Sequence, residues 1–187
     1  MNDAHMEYCA SEDWRRMVHD TILPEALRGV ELGDDAIEIG PGPGFTTDVL
    51  HTMTGRLTAV EIDEGLAASL AGRMADDNVD VVVGDASDLR FPADRFSGAA
   101  SFHMLHHIAP DEVQDRVFAE LARVLAPGAV LVAADGTYNE GTAAFHEDDT
   151  YNPIDPGELE ARLRRAGFED VDVRTYDLGW VCTAVAV

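Results

Sequence analysis

Short apolar runs alternate with helix-period segments along nearly the whole chain, and this alternation narrows the fold more than any other feature. The runs lie at residues 36–40, 57–62, 79–84, 96–102 and 129–134. Each is brief and nearly apolar, as strands are when helices cover both faces of a parallel sheet. The clearest helical spacing falls in residues 111–125, where Val113, Val117, Phe118, Leu121, Val124 and Leu125 form one stripe. The alternation predicts a doubly wound α/β sheet. Two later runs, 171–178 and 180–187, are separated by Gly179 alone. A parallel pair needs a crossover of about a dozen residues or more, so these two are expected to form an antiparallel hairpin. The helix before them is well marked: Asp155, Pro156 and Glu158 suit N-cap, N1 and N3, Leu159 and Leu163 share a face, and Gly167 suits its end.

At 187 residues the chain fits a single domain with a substantial core. Two stretches stand outside the alternation. Residues 1–30 are expected to form a helical cap or lid, with a helix after Ser11 carrying Trp14, Met17, Val18 and Ile22 on one side; Pro24 ends it or opens a second short helix. Residues 31–187 then form the core, and 136–155, which has no clear period, an irregular segment on the substrate side. No apolar run is long enough for a membrane span, and the first residues lack the pattern of a secretory signal, so the expected location is the cytoplasm. Cys9 and Cys182 are far apart and unaccompanied, which argues against a disulfide framework or a zinc knuckle.

The charge excludes one class of partner. Thirteen basic residues, all of them arginine, stand against 36 acidic ones, for a net charge of −23. Such a chain repels phosphate backbones, so no nucleic-acid partner is expected. It attracts cations weakly at long range, and otherwise the charge reads as a solvated acidic surface.

Residues 37–47 (IEIGPGPGFTT) place three glycines directly after the first apolar run. Glycines in a strand-to-helix turn let the backbone approach a ligand closely, although a tight connection alone also uses them. The dinucleotide fingerprint requires a third glycine where Phe45 stands. Glu38 precedes the turn, and a carboxylate there suits a cation and opposes a pyrophosphate. S-adenosylmethionine carries a sulfonium and an ammonium and no phosphate, so this chemistry favours it over NAD or ATP. Glu61 ends the second run, near the roughly 20-residue offset at which an acid accepts ribose hydroxyls. Asp85 ends the third, where it can accept from an adenine amino group while Ala86 supplies an amide. Open α/β sheets bind ligands along this edge.

Taken in order, residues 38–44 (EIGPGPG), 59–63 (AVEID), 84–86 (GDA), 101–108 (SFHMLHHI) and 121–128 (LARVLAPG) resemble the class I S-adenosylmethionine-dependent methyltransferases, particularly their small-molecule branch. The resemblance covers residues 36–135 and extends to the C-terminal hairpin. It implies a Rossmann-like seven-stranded sheet, mostly parallel, with the last strand antiparallel. It places Gly40, Gly42 and Gly44 at the methionine end of the cofactor with Glu38 nearby. Glu61 would bind the ribose, Ile62 pack on the adenine, and Asp85 and Ala86 read its edge; Phe102 joins this cofactor-binding set. The function implied is methyl transfer to an O, N or C atom of a small molecule. A non-catalytic protein that binds the same cofactor as a sensor would use the same acids, and a nicotinamide-dependent dehydrogenase stands third.

Three readings are open for His103, His106 and His107. His103 and His107 have the i, i+4 spacing of a helical metal pair, but no matching acid-plus-His motif accompanies them, so no metal is expected. A histidine there can serve as a general base, with His103 or His106 the candidates, or pin the loop over the cofactor. The acceptor pocket is expected from residues 1–30 and 136–155, with Tyr8, Trp14, His19, Tyr138, Phe145, His146 and Tyr151 as candidates. Trp14 could equally anchor its helix, and His146, beside Glu147 and Asp148, reads as solvated.

Overall fold

The structure, a computed structural model, describes residues 2–187. One sheet contains β1 (Asp35–Ile39), β2 (Arg56–Glu61), β3 (Val79–Val83), β4 (Phe96–Phe102), β5 (Leu125–Asp135), β6 (Phe168–Tyr176) and β7 (Gly179–Ala186), in the order β3-β2-β1-β4-β5-β7-β6. The first five strands pair in parallel, and β7 lies antiparallel between β5 and β6. The expected mostly parallel, seven-stranded, doubly wound sheet with its reversed last strand is therefore the observed fold. Only Asp177 and Leu178 join β6 to β7, and a Cβ on Gly179 would stand 2.0 Å from the Asp135 carbonyl oxygen. That close approach of backbones requires glycine.

Helices α1 (Asp3–Cys9), α2 (Glu12–Met17) and α3 (Leu23–Ala26) precede the sheet, with a π-type turn at Val18–Ile22 between the last two. They are followed by α4 (Thr47–Leu50), α5 (Glu64–Arg73), α6 (Asp111–Val124), α7 (Glu140–Phe145) and α8 (Pro156–Ala166). Local chemistry sets several ends. The Ser11 hydroxyl accepts from the Trp14 amide, Asp155 from the Gly157 amide, and Gly167 at φ +111 ends α8. Such caps satisfy amides that a helix leaves unpaired.

Alternation along the strands splits the core into two layers. Ile37, Ile39, Leu131 and Trp180 face α6 and α8, packing on Phe118, Leu121, Leu159 and Leu163. Ala36, Ala100, Phe102 and Val132 face the other way, onto Val18, Ile22, Leu23, Ala26 and Leu50. Part of the expected N-terminal cap is thus built into the sheet's own core.

Three expectations need adjustment. The helix expected after the glycine turn is a single turn, α4. Leu125, counted with the α6 stripe, already begins β5, while Gln114 enters the buried face. Its amide nitrogen donates to the carbonyls of Leu105, Ile108 and Asn152, which satisfies that end of the side chain, while its Oε1 is buried without a hydrogen-bond partner. The segment 136–155 is not wholly irregular, because Asn139 caps α7 by accepting from the Thr142 amide.

Candidate active site

The strand order reverses beside β1, and such switch points leave a crevice at the carboxyl ends of the strands. A cavity of about 650 Å³ opens there, lined by the ends of β1, β2 and β4, by the turn after β3, and by α1 and α2. Gly40, Gly42, Glu61, Ile62, Asp85, Ala86, Phe102 and His103 all line it. Glu38, Gly44 and His106 do not.

Glu61 joins the first two turns. Its Oε2 accepts from the Gly42 amide and its Oε1 from the Asp63 amide, both at 3.0 Å. The carboxylate is buried, yet each oxygen keeps a second lone pair for a ligand hydroxyl. Gly40 adopts φ +64, and a Cβ there would stand 2.2 Å from Cγ of Met104. At Gly42 an added Cβ meets nothing within 4 Å, so this part of the turn faces open space. Ile62, in the same lining, is 69% exposed. Asp85 is exposed and currently accepts from the Ser87 amide and hydroxyl at 2.8 Å.

Gly44 and Glu38 serve the turn from behind. Gly44 is needed by α5: a Cβ there would lie 2.4 Å from both Arg73 Nη2 and Leu70 Cδ1, and Arg73 donates to the carbonyls of Pro43 and Gly44. Glu38 shares the face of Ala36 and points beneath the turn rather than into it. There it accepts from the hydroxyls of Thr46 and Thr47, the latter at 2.7 Å. Burial raises its pKa to about 7, with the two threonine hydroxyls pulling the other way. A carboxyl whose pKa is higher folded than unfolded takes up a proton on folding, so its contribution is full below about pH 4.5 and lost as pH rises through about 7. Wild-type stability is therefore expected to fall by up to about 1.4 kcal/mol per pH unit across that window relative to Glu38→Gln. Denaturant titrations at a series of pH values check this, and parallel curves would refute it.

The histidines follow β4. His103 has a positive φ of +50 and turns its ring into the cavity, 5.1 Å from the Trp14 ring. Burial lowers its pKa to about 4, so it is neutral, and its Nε2 is buried without a hydrogen-bond partner. His106 sits one layer back on the 3-10 turn Leu105–His107. Its backbone amide and its Nδ1 both reach Asp135, at 3.0 and 2.5 Å. Burial opposes charge on both partners, but their attraction outweighs it, holding the His106 pKa up and that of Asp135 down. As a base, His106 could act only through another group.

The i, i+4 reading of His103 and His107 does not describe this turn. The structure instead gathers His106 and His107 with His5 and His146, whose ligand atoms lie within 4.8 Å of one another. His146 is buried, in contrast to the solvated position expected for it. Of the acceptor-pocket candidates, only Trp14 lines the cavity. His19 Nε2 instead meets the Phe45 carbonyl at 2.9 Å, and Tyr138 is exposed. Met104, Asp63 and Asp149, which no motif singled out, also line the cavity.

The donor set defines what fits. The lining carries Glu61, Asp63, Asp85 and Asp149 and, among the described residues, no arginine. Such a site favours a cationic, hydroxyl-bearing ligand and disfavours a pyrophosphate. Residues 37–133 match the family described as "Methyltransferase domain". A probable S-adenosylmethionine-dependent methyltransferase of Mycolicibacterium smegmatis is 29% identical over 145 residues, covering 75% of this chain and 54% of that protein. A probable ribosomal RNA small subunit methyltransferase A of Pyrobaculum aerophilum is 32% identical over 129 residues, 68% of this chain and 56% of that protein. The chain thus spans about half, or less, of the curated relatives it matches. Among solved structures, the DhpI–SAH complex superposes with a TM-score of 0.76 at 25% identity, covering 96% of this chain and 90% of that one. On the match across residues 37–133, with the fold and the acidic cavity in agreement, the chain belongs to the class I methyltransferase family, whose cofactor is S-adenosylmethionine.

Proposed function

We propose that this chain transfers a methyl group from S-adenosylmethionine to an O, N or C atom of a small-molecule acceptor. The observation that carries the reading is the shared cavity, in which Glu61 braces the cofactor turns and the neutral, unpartnered His103 faces the same space. The bound cofactor supplies an already activated methyl, so the protein needs no nucleophile of its own. Gly40 and Gly42 admit the amino-acid end, Glu61 holds the ribose, Ile62 covers the adenine, and Asp85 with Ala86 reads its edge. Trp14, Met6 and Cys9 wall the opposite side, where residues 1–30 act as a cap that excludes water. Orientation of this kind supplies much of the rate in a displacement. The net charge of −23 and the arginine-free lining favour a small acceptor over RNA.

The test is a methyl-transfer assay with three arms: a metabolite library, a ribosomal RNA fragment and no acceptor. Transfer to a metabolite is expected. Transfer to RNA alone would overturn the acceptor class, and tight binding of S-adenosylhomocysteine with no transfer to either would make the chain a sensor.

His103 is the base candidate whose ring lines the cavity; its Nε2, buried in this structure, must be uncovered as the acceptor enters before it takes the proton. Replacing it with glutamine is expected to lower kcat by about 100-fold or more while S-adenosylhomocysteine still binds, since a positioned base contributes about 10²–10⁴-fold. Steady-state kinetics on the substrate found above, beside calorimetry, read both quantities. An unchanged kcat would remove the assignment.

A further inference from the structure

We propose that His5, His106, His107 and His146 form a binding site for one zinc ion, which fastens α1 and α7 to the turn after β4. The four imidazoles come from three separate stretches of chain, and their ligand atoms converge within 4.8 Å. Two of them are already set in the tautomer a metal requires. His146 Nδ1 lies 2.7 Å from the Thr142 carbonyl and must donate to it, which leaves a lone pair on Nε2; that atom is buried without a partner. His106 engages Asp135 through Nδ1, which in the neutral ring leaves Nε2 to coordinate. A carboxylate or carbonyl behind a ligating histidine orients it in this way and raises its basicity. His107 Nδ1 is also buried without a hydrogen-bond partner, and His5 Nδ1 lies 3.5 Å from the Asp149 carboxylate.

A ligand is the simplest account of such packing. Burying several imidazole nitrogens without partners is costly, and one cation satisfies them together. Asp135 and Asp149 flank the cluster, so their two charges balance a divalent ion. An all-imidazole set selects zinc and its first-row neighbours, whereas magnesium and calcium take oxygen. Tetrahedral zinc with bonds of about 2.0–2.1 Å spaces its nitrogens by roughly 3.4 Å, so the rings must draw together on binding. His107 also lines the cavity, which places the ion in the wall between the cap and the acceptor space.

The test uses the full chain, purified without a histidine tag and stripped with a chelator. Zinc is titrated calorimetrically in excess magnesium, which occupies the exposed carboxylates, and cobalt(II) then reports coordination by its visible spectrum. One equivalent of zinc bound more tightly than micromolar is expected, with a four-coordinate cobalt spectrum. His5→Gln and His146→Gln should each weaken binding by more than 100-fold, and Asp135→Asn by the roughly 10–100-fold typical of an outer partner. Circular dichroism verifies that the variants fold; if they do not, the wild-type cobalt spectrum decides by itself. Binding weaker than micromolar, a six-coordinate spectrum, or folded histidine variants that bind like wild type would overturn the site. Because no methyl transfer is measured, failure here leaves the proposed reaction standing, and failure of that reaction leaves the metal site standing.

Discussion

Replacing Glu61 with alanine is expected to lower the affinity for S-adenosylhomocysteine by about 100- to 1000-fold. The carboxylate has two duties at once. Toward the protein it accepts from the amides of Gly42 and Asp63 and so fixes the turns after β1 and β2 against each other. Toward the cavity it keeps further lone pairs, which in the proposed function accept from the ribose hydroxyls. Hydrogen bonds to a charged group contribute about 1.5–3 kcal/mol each, and every ~1.4 kcal/mol is tenfold in affinity, so losing two of them at about 1.5–2 kcal/mol each gives that range. Glutamine is a poor substitute, because its amide nitrogen would meet one of the two backbone N–H groups donor to donor. Both variants should therefore bind far more weakly while keeping a cooperative thermal transition. Calorimetry beside a melting curve separates these outcomes. An affinity within about threefold of wild type, on a folded E61A chain, would show that the ribose is held elsewhere.

What could be read beforehand depended on whether the signal was local. The parallel strands were legible because burial on both faces leaves short apolar runs. The reversed β7 was legible because the link at Gly179 is too short for a crossover, and α8 because its caps lie in adjacent residues. The cofactor edge followed from acids at successive strand ends, and Glu61 and Asp85 both reach the cavity. Glu38 shows the limit of that argument. Its spacing from the glycines suggested a counter-charge in the turn, but the pleat puts residue 38 on the face of Ala36, where Thr46 and Thr47 capture it. Two adjacent threonines closing the turn were the available sign. The histidine cluster had no local sign at all. Residues 5, 106, 107 and 146 meet only because α1 folds over the turn after β4, so that the His5 and His146 rings come within 4.3 Å. The i, i+4 reading assumed a helix, whereas the positive φ of His103 breaks the chain before a 3-10 turn begins.

Gly40→Ala is expected to abolish cofactor binding and to lower stability by several kcal/mol, and a second substitution should recover a defined part of the loss. Two costs combine at this position. The φ of +64 is one that an L side chain adopts at roughly 1–2 kcal/mol. The new methyl would also stand 2.2 Å from Cγ and 3.0 Å from Cβ of Met104. The methionine must swing away, and it is bonded to His103, which faces the cavity. Its displacement therefore reaches both the turn after β1 and the base candidate. Met104→Ala in the G40A background removes the collision and leaves the backbone strain. The double variant should thus regain more than about 1 kcal/mol relative to the sum of the single effects, a coupling that residues in contact commonly show. Gly42→Ala is the matched control: φ is +54, but nothing lies within 4 Å of its Cβ, so only the backbone cost applies. Denaturant unfolding of the four members of the cycle, with S-adenosylhomocysteine calorimetry on each, measures both terms. A G40A chain that binds like wild type, or a cycle with no coupling to Met104, would mean that the turn after β1 does not meet the ligand through Gly40.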